Sequence, residues 1–123
     1  MSDASDTRVF TRRPSLAPEE APRIPVLTWM SGSETGKVVR LKRGTFVLGR
    51  GSEVDVPVHG EGISRKHAEL WIRRTGSVYL TDLDSTNGTS VNGQDIGGDP
   101  SALSDGDRIE IGSSLLKFSY QDM

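Results

Sequence analysis

Short apolar runs alternate with turn residues along most of this chain. The runs cover residues 26–30, 38–41, 46–48, 70–72, 78–83, 108–111 and 115–118. Glycine, asparagine, aspartate or serine separates them, and Asn92-Gly93 between Val91 and Ile96 is a strong hairpin signal. No stretch keeps the helical period of about 3.6 residues over several turns. About ten short strands with frequent turns predict an all-β fold, either a sandwich or a barrel.

Residues 1–25 differ from the rest, because prolines recur there and apolar residues are sparse. Each proline disfavours helix at the residue before it. So little apolar surface cannot offset the entropy that is lost when a chain becomes ordered. We therefore expect a disordered N-terminal tail over residues 1–25 and one domain over residues 26–120. Whether an output domain follows Met123 stays open.

The composition excludes several classes of function. The 123 residues contain no cysteine, which excludes disulfides, thiol catalysis and thiolate metal sites. The formal net charge of -2 argues against a general nucleic-acid or acidic-membrane binder. No apolar run approaches the roughly 20 residues of a membrane span, and the first residues lack a signal-peptide pattern. We expect a cytoplasmic protein without nucleic-acid, membrane or cofactor partners.

Three polar clusters fall where predicted strands end. They are Gly49-Arg50, residues 64–67 and residues 85–88. Loops on a rigid sheet often carry binding groups. The arginine, lysine, hydroxyl and carboxamide groups of these clusters all donate hydrogen bonds. Brought to one point, they would hold an anion with several acceptor oxygens, above all a phosphate.

In their order and spacing the clusters resemble the signature of the forkhead-associated (FHA) domain, over roughly residues 26–120. The matching positions are Gly49-Arg50, Ser64 with His67, residues 85–89, residues 91–93 and residues 106–112. The resemblance implies a β-sandwich of two antiparallel or mixed sheets. It also implies a phosphothreonine-binding module of kinase signalling. Its expected partners are a phosphothreonine-containing protein and a Ser/Thr kinase or the substrates of that kinase.

The resemblance further implies a role for each loop residue. The residues expected to bind the phosphopeptide are Arg50, Ser64, Arg65, Thr86 and Asn87. Ser64 would bond the phosphate, Arg65 would add a basic phosphate contact, and Arg50 would contact the phosphate or the peptide backbone. Thr86 and Asn87 would hold the peptide. Structural support of these loops is expected from Gly49, His67 and Gly88.

Ser64 and His67 also invite an enzymatic interpretation, as a small Ser/His hydrolase. Such a pair needs a third group and an oxyanion hole, and no G-x-S-x-G elbow surrounds Ser64. A calcium loop that starts at Asp82 fails as well, because Asn87 and Gly93 occupy the positions that require glycine and glutamate. We therefore expect neither catalysis nor a metal. A phospho-independent scaffold is the remaining alternative.

Thr7 and Thr11 in the tail are candidate phosphorylation sites. FHA domains commonly read the residue three places after the phosphothreonine, which is Phe10 for Thr7 and Pro14 for Thr11. The stretch resembles the tails of small bacterial FHA regulators, in which a phosphorylated threonine folds back and blocks the domain. We expect the tail to be a ligand of its own domain, through Thr7 rather than Thr11. An inert, solvated tail is the alternative.

A basic run lies outside these motifs and consists of Lys37, Arg40, Lys42 and Arg43. Arg40 and Lys42 would share one face of a strand. Solvated charges at that position protect a strand edge from pairing with other chains. We interpret the run in this way, and a phosphoinositide or nucleic-acid site is the alternative.

Overall fold

A computed structural model of the chain describes residues 23–122. This part contains eleven β-strands and no helix, which confirms the predicted all-β class. The strands are β1 (Arg23–Trp29), β2 (Val38–Arg40), β3 (Gly44–Gly49), β4 (Val56–Pro57), β5 (Ala68–Ile72), β6 (Val78–Asp82), β7 (Thr89–Val91), β8 (Gln94–Ile96), β9 (Ser101–Ala102), β10 (Arg108–Ile111) and β11 (Ser114–Asp122). Among the described residues, no helix is long and apolar enough to cross a membrane.

The strands form two sheets that pack on one shared core. The five-stranded sheet has the order β9-β6-β5-β3-β4, and the six-stranded sheet has the order β2-β1-β11-β10-β7-β8. Neighbouring strands are antiparallel except β3 and β4, which run parallel. The predicted sandwich of antiparallel or mixed sheets is therefore confirmed.

The core follows from the two-residue period of the strands. In β5, Leu70 and Ile72 are buried, whereas Trp71 between them points outward and is 46% exposed. The six-stranded sheet contributes the largest core side chains, Trp29 and Phe118, which are almost fully buried. Each such side chain contributes about 1.5–3 kcal/mol relative to an exposed position. A core of this kind gives the loops a rigid base.

The strand registers bring the polar clusters to one end of the sandwich. Leu48 pairs with Ala68, and Ala68 pairs with Asp82, so the loops that follow β3 and β6 and the loop that precedes β5 start side by side. We call this edge the loop end. The opposite edge, where Gly44 pairs with Ile72, is called the far end.

Strand β1 begins at Arg23 rather than at residue 26, and it includes Pro25. The carbonyl of Pro25 accepts a hydrogen bond from Leu41 at 2.9 Å, so its nitrogen points to the same side, toward β2. Pro25 stands opposite Leu41, one position beyond the pair of Val26 and Arg40, so its missing N–H cannot return this hydrogen bond and the β1–β2 ladder ends there. Sequence reasoning put the domain boundary after this proline, between residues 25 and 26. The predictions for residues 1–22 lie outside the described residues.

Candidate functional site

His67 lies at the centre of the loop end and is fully buried. Its Nδ1 accepts a hydrogen bond from the N–H of Ser64 at 3.0 Å. Because Nδ1 is an acceptor, the neutral ring carries its proton on Nε2, which donates to the carbonyl of Gly88 at 2.8 Å. The imidazole thus ties the loop before β5 to the loop before β7. This geometry is what the predicted supporting role of His67 requires.

The same geometry disfavours a Ser/His hydrolase. Both ring nitrogens of His67 are engaged by backbone groups, and neither contacts the hydroxyl of Ser64. A nucleophile and its base need a direct hydrogen bond between their side chains. The Ser64 hydroxyl instead accepts a hydrogen bond from the N–H of Thr86 at 3.1 Å.

Asp82 fixes the conformation of the loop that carries Thr86 and Asn87. It accepts hydrogen bonds from the N–H and hydroxyl of Ser85, at 3.0 and 2.6 Å, and from the hydroxyl of Thr89 at 2.7 Å. The Ser85 oxygen in turn accepts the N–H of Gly88 at 2.9 Å. Burial raises the pKa of Asp82, but the hydrogen bonds from Ser85 and Thr89 outweigh it, so the pKa lies below its usual value.

Gly49 and Arg50 hold the end of β3 against the loop before β5. The Nε–H of Arg50 donates to the carbonyl of Ile63 at 2.6 Å, and its backbone N–H donates to Ser64 at 3.1 Å. A Cβ on Gly49 would collide with the backbone carbonyl of Arg65. The close approach of these two backbones therefore requires glycine at this position.

Thr86 and Asn87 are exposed on the rim of the loop end. The backbone of Thr86 is fixed by Ser64, and the carboxamide of Asn87 donates to the carbonyl of Gly62 at 3.1 Å. The proton of the Ser64 hydroxyl has no acceptor among residues 23–122, and it is therefore available for a ligand. The Arg65 side chain is exposed and lies next to Gly51.

All five predicted binding residues thus lie at the loop end. Hydrogen bonds connect Arg50, Thr86 and Asn87 to one short segment, residues 62–64, which includes Ser64. Arg65 occupies the next position of that loop, and its side chain is exposed. The arrangement offers hydroxyl, carboxamide and guanidinium donors on one rim, which is the donor set that a phosphate accepts.

A negatively charged groove flanks this rim. It has a volume of about 440 Å³ and lies beside Asn87. The carboxylates of Glu61, Asp95 and Glu110 line it, and the Ser90 hydroxyl donates to Glu110 at 2.9 Å. A ligand that reaches from the basic rim into this groove would be accommodated best if it carried a cation there.

Sequence reasoning missed the role of Asp82, because it tested this residue only as a calcium ligand. The signal was present as an acidic residue followed three positions later by serine and seven positions later by threonine. Serine and threonine hydroxyls next to an aspartate commonly form local loop bonds. Sequence reasoning also missed that the backbone carbonyls of residues 62–64 accept hydrogen bonds from the site residues. Every residue has a backbone carbonyl, so no residue type indicates this role.

Comparison with known proteins agrees with this geometry. The family model for the FHA domain matches residues 46–112. The chain is 40% identical over 83 residues to the FHA domain-containing protein FhaA of Mycobacterium tuberculosis, which covers 67% of this chain and 15% of that protein. It is 37% identical over 87 residues to the oxoglutarate dehydrogenase inhibitor of Corynebacterium diphtheriae, with coverages of 71% and 59%. The chain thus spans less than two thirds of both relatives.

Solved structures show the same fold. One belongs to a structural and functional analysis of phosphothreonine-dependent FHA domain interactions, with 31% identity and a TM-score of 0.73 over 81% of this chain and 99% of that chain. Another is the FhaA FHA domain complexed with the intracellular domain of Rv3910, with 33% identity and a TM-score of 0.69 over 76% and 98%. The fold is that of a β-sandwich domain that carries its polar donor groups on the loops at one end. The chain belongs to the FHA-domain family, as its sequence predicted.

The close contact at Gly49 predicts a site-specific intolerance of side chains. We expect Gly49→Ala to lower the free energy of unfolding by about 1–3 kcal/mol, since the added methyl overpacks against a backbone carbonyl. Gly98→Ala is the matched control, because a Cβ at Gly98 meets nothing within 4 Å. Urea unfolding of both variants measures the difference. Equal stability of the two variants would contradict the backbone contact.

The buried imidazole predicts a structural cost for its removal. His67→Ala leaves the Ser64 N–H and the Gly88 carbonyl without their partner, and each unsatisfied buried group costs about 1–3 kcal/mol. The melting temperature should therefore fall clearly. His59→Ala, at an exposed histidine, should melt like the wild type. A His67→Ala protein with wild-type melting would refute the supporting role.

Proposed function

We propose that this chain is a phosphothreonine-dependent protein–protein interaction module of kinase signalling, and that Arg50, Ser64, Arg65, Thr86 and Asn87 bind the phosphopeptide. The observation that carries the proposal is the Ser64 hydroxyl, which the Thr86 N–H orients at 3.1 Å while its own proton stays available. The module is non-catalytic in this proposal, and the cytoplasm is its compartment because protein kinases act there.

Pre-organisation of Arg50 supports phosphate binding. Its Nε–H donates to the Ile63 carbonyl, whereas its two terminal amino groups have no acceptor within residues 23–122 and can donate to a ligand. A phosphothreonine carries roughly -1.5 to -2 charges near neutral pH and three strong acceptor oxygens. Bonds to such a group are charge-assisted and shorter than neutral ones. A side chain that is already held in place also loses less entropy when the ligand binds.

A preference for threonine over serine has only modest physical sources. One buried methyl group contributes roughly 0.8 kcal/mol, about fourfold in affinity. Branching at Cβ adds to this, since it restricts χ1 before binding. A strict preference therefore needs a shaped methyl pocket, which we carry over from the FHA family as part of the proposal.

The site predicts which variants lose binding. We expect Arg50→Ala and Ser64→Ala each to weaken binding of a degenerate phosphothreonine peptide library at least about tenfold, because each removes charge-assisted bonds of roughly 1.5–3 kcal/mol. The control is Arg108→Ala, which removes an exposed arginine of β10 in the six-stranded sheet. This variant should bind the library like the wild type. Calorimetric titration, with thermal melts of every variant, measures the effect.

Three outcomes would count against this function. Unchanged affinity in both site variants would refute the residue assignment. Equal binding of the unphosphorylated library would favour a phospho-independent scaffold instead. Turnover of a generic ester by the wild type that Ser64→Ala abolishes would favour the hydrolase.

We further propose that the tail supplies a ligand, at Thr7 or Thr11. Thr7 is followed by Arg8, and Thr11 is followed by Arg12 and Arg13. These arginines complement the carboxylates beside Asn87 once the phosphate occupies the basic rim. Both threonines precede the domain, and the first described strand starts at Arg23 on the far end.

The tail is long enough for this contact. Strand β11 has nine residues between the loop end and the far end, or roughly 30 Å at about 3.3 Å per residue. A flexible linker between Thr7 and Arg23 would have a root-mean-square span of roughly 20–24 Å, and a fully extended one would reach roughly 55 Å. Tethering raises the effective concentration to about the millimolar range. A micromolar site would then be occupied mostly by its own tail.

Amide NMR of the full chain, phosphorylated at Thr7 or at Thr11, tests the tail. We expect shifts at Arg50, Ser64 and Asn87 that persist on dilution, which separates folding back from dimer formation. Double substitution of Thr7 and Thr11 by alanine, treated with the same kinase, is the control. Unmoved resonances at the loop end in both phosphorylated forms would show that the tail is not the ligand.

A further inference from the structure

A second concave surface lies at the far end, away from the loop-end site. It has a volume of about 780 Å³, and Arg43, Trp71, Arg73, Arg74 and Thr75 contribute to its lining. We call it the arginine groove. No part of the proposed phosphopeptide contact explains why these residues are gathered there.

The groove has an aromatic floor. Trp71 points out of the five-stranded sheet and is 46% exposed, although tryptophan is a large apolar side chain. It packs against Tyr79 of the neighbouring strand, with ring centroids 5.6 Å apart. The guanidinium of Arg73 lies 5.3 Å from the Trp71 ring centre. An exposed, already oriented aromatic surface of this kind is typical of the centre of a recognition site.

The rim of the groove is cationic, and within residues 23–122 its arginines form no ion pair. Strand register brings Arg43, which precedes β3, next to Arg73 and Arg74, which follow β5. Within residues 23–122 the only ion pair joins Lys37 to Glu34, so these three arginines have no carboxylate partner in that part of the chain. By contrast, the Nε–H of Arg40 donates a hydrogen bond to the side-chain oxygen of Gln121 at 2.9 Å.

We propose that the arginine groove is a second docking surface, and that it binds an acidic protein segment with one apolar side chain. The apolar side chain would cover Trp71, and the flanking carboxylates would pair with the arginines. Charge complementarity supports this occupant, because guanidinium groups pair with carboxylates in a bidentate manner. The proposal does not depend on phosphothreonine binding.

A nucleic acid fits the surface less well. Its phosphates need a basic track over several nucleotides. Here the net charge of the chain is -2, and Glu69 lies on the same sheet face as Trp71, two residues closer to the loop end. The positive charge is therefore confined to the length of a short peptide.

The position of the groove makes it compatible with an occupied loop end. The two sites are separated by the six residues of β3, roughly 17 Å along the strand. One partner can thus present a phosphothreonine at the loop end and an acidic segment at the arginine groove. Linked contacts of this kind raise the overall affinity through effective concentration.

The test uses the full chain and three defined probes. The first is a synthetic heptapeptide with a central leucine and three acidic residues on each side. The second replaces all acidic residues by lysine, and the third is a single-stranded oligothymidylate of ten nucleotides. Amide NMR locates each contact, and tryptophan fluorescence reports Trp71 because Trp29 is buried.

We expect the acidic peptide to shift amides around Trp71, Arg73 and Thr75, with little change at Arg50 or Ser64. Replacing Arg73 and Arg74 by glutamate should weaken its binding at least about tenfold, because like charges then face each other. Trp71→Ala should weaken binding while the melting temperature stays close to that of the wild type. The matched control replaces Arg108 and Lys117, an exposed cross-strand pair of the other sheet, by glutamate.

Several results would overturn the proposal. Equal loss of binding in the control variant would show a general charge effect. Shifts confined to the loop end would place the acidic peptide at the phosphate site. Tighter binding of the oligothymidylate at the groove would identify a nucleic-acid surface instead.

Discussion

The hydrogen bonds of the buried His67 ring are the constraint on which the loop end depends. They fix the Ser64 segment and the Gly88 segment relative to each other, at 3.0 and 2.8 Å. Both partners are backbone groups, so the ring constrains the path of the chain rather than one side chain. The ring is buried by the core that the two sheets share, and the core therefore sets the position of the loops. A site made of exposed side chains thus rests on a rigid interior.

Further hydrogen bonds hold the individual donor side chains and their loops in place. Asp82 holds the loop that carries Asn87, and the Ile63 carbonyl holds Arg50. Ser64 and Arg50 make their internal hydrogen bonds without the protons that would contact the phosphate in the proposed complex. The Ser64 oxygen accepts from the backbone, and Arg50 donates through Nε; within residues 23–122 the Ser64 proton and the terminal amino groups of Arg50 have no acceptor. The proposed site is therefore preformed in the structure without a ligand.

The sequence predicts much of this arrangement, because the FHA signature combines residue type with spacing. Short strands with turns indicate a sandwich or a barrel, and the FHA resemblance selects the sandwich. The positions of Arg50, Ser64 and Asn87 indicate the loop end. Strand β9, Ser101–Ala102, cannot be predicted from the sequence, because two small residues give no alternating apolar pattern. Its pairing with Tyr79 and Leu80 defines it as a strand. The start of β1 at Arg23 escapes because the recurrent prolines put the predicted boundary at residue 25, whereas the pairing of β1 with β11 extends to Arg23 and Asp122.

The groove at the far end shows the same limit. Arg43 belongs to a basic run that the sequence makes visible, but its neighbours Arg73 and Arg74 are thirty residues away in the chain. Only the register of β3 and β5 brings them together. Long-range register is set by packing of the whole sheet, and local patterns do not encode it.

A crystal structure of the chain with a phosphothreonine peptide tests the central claim most directly. The account predicts phosphate oxygens within hydrogen-bond distance of the Ser64 hydroxyl and the Arg50 guanidinium. It also predicts that both His67 bonds keep the lengths that they have without ligand. A phosphate bound elsewhere, or loops that rearrange and break the His67 bonds, would contradict a preformed loop-end site.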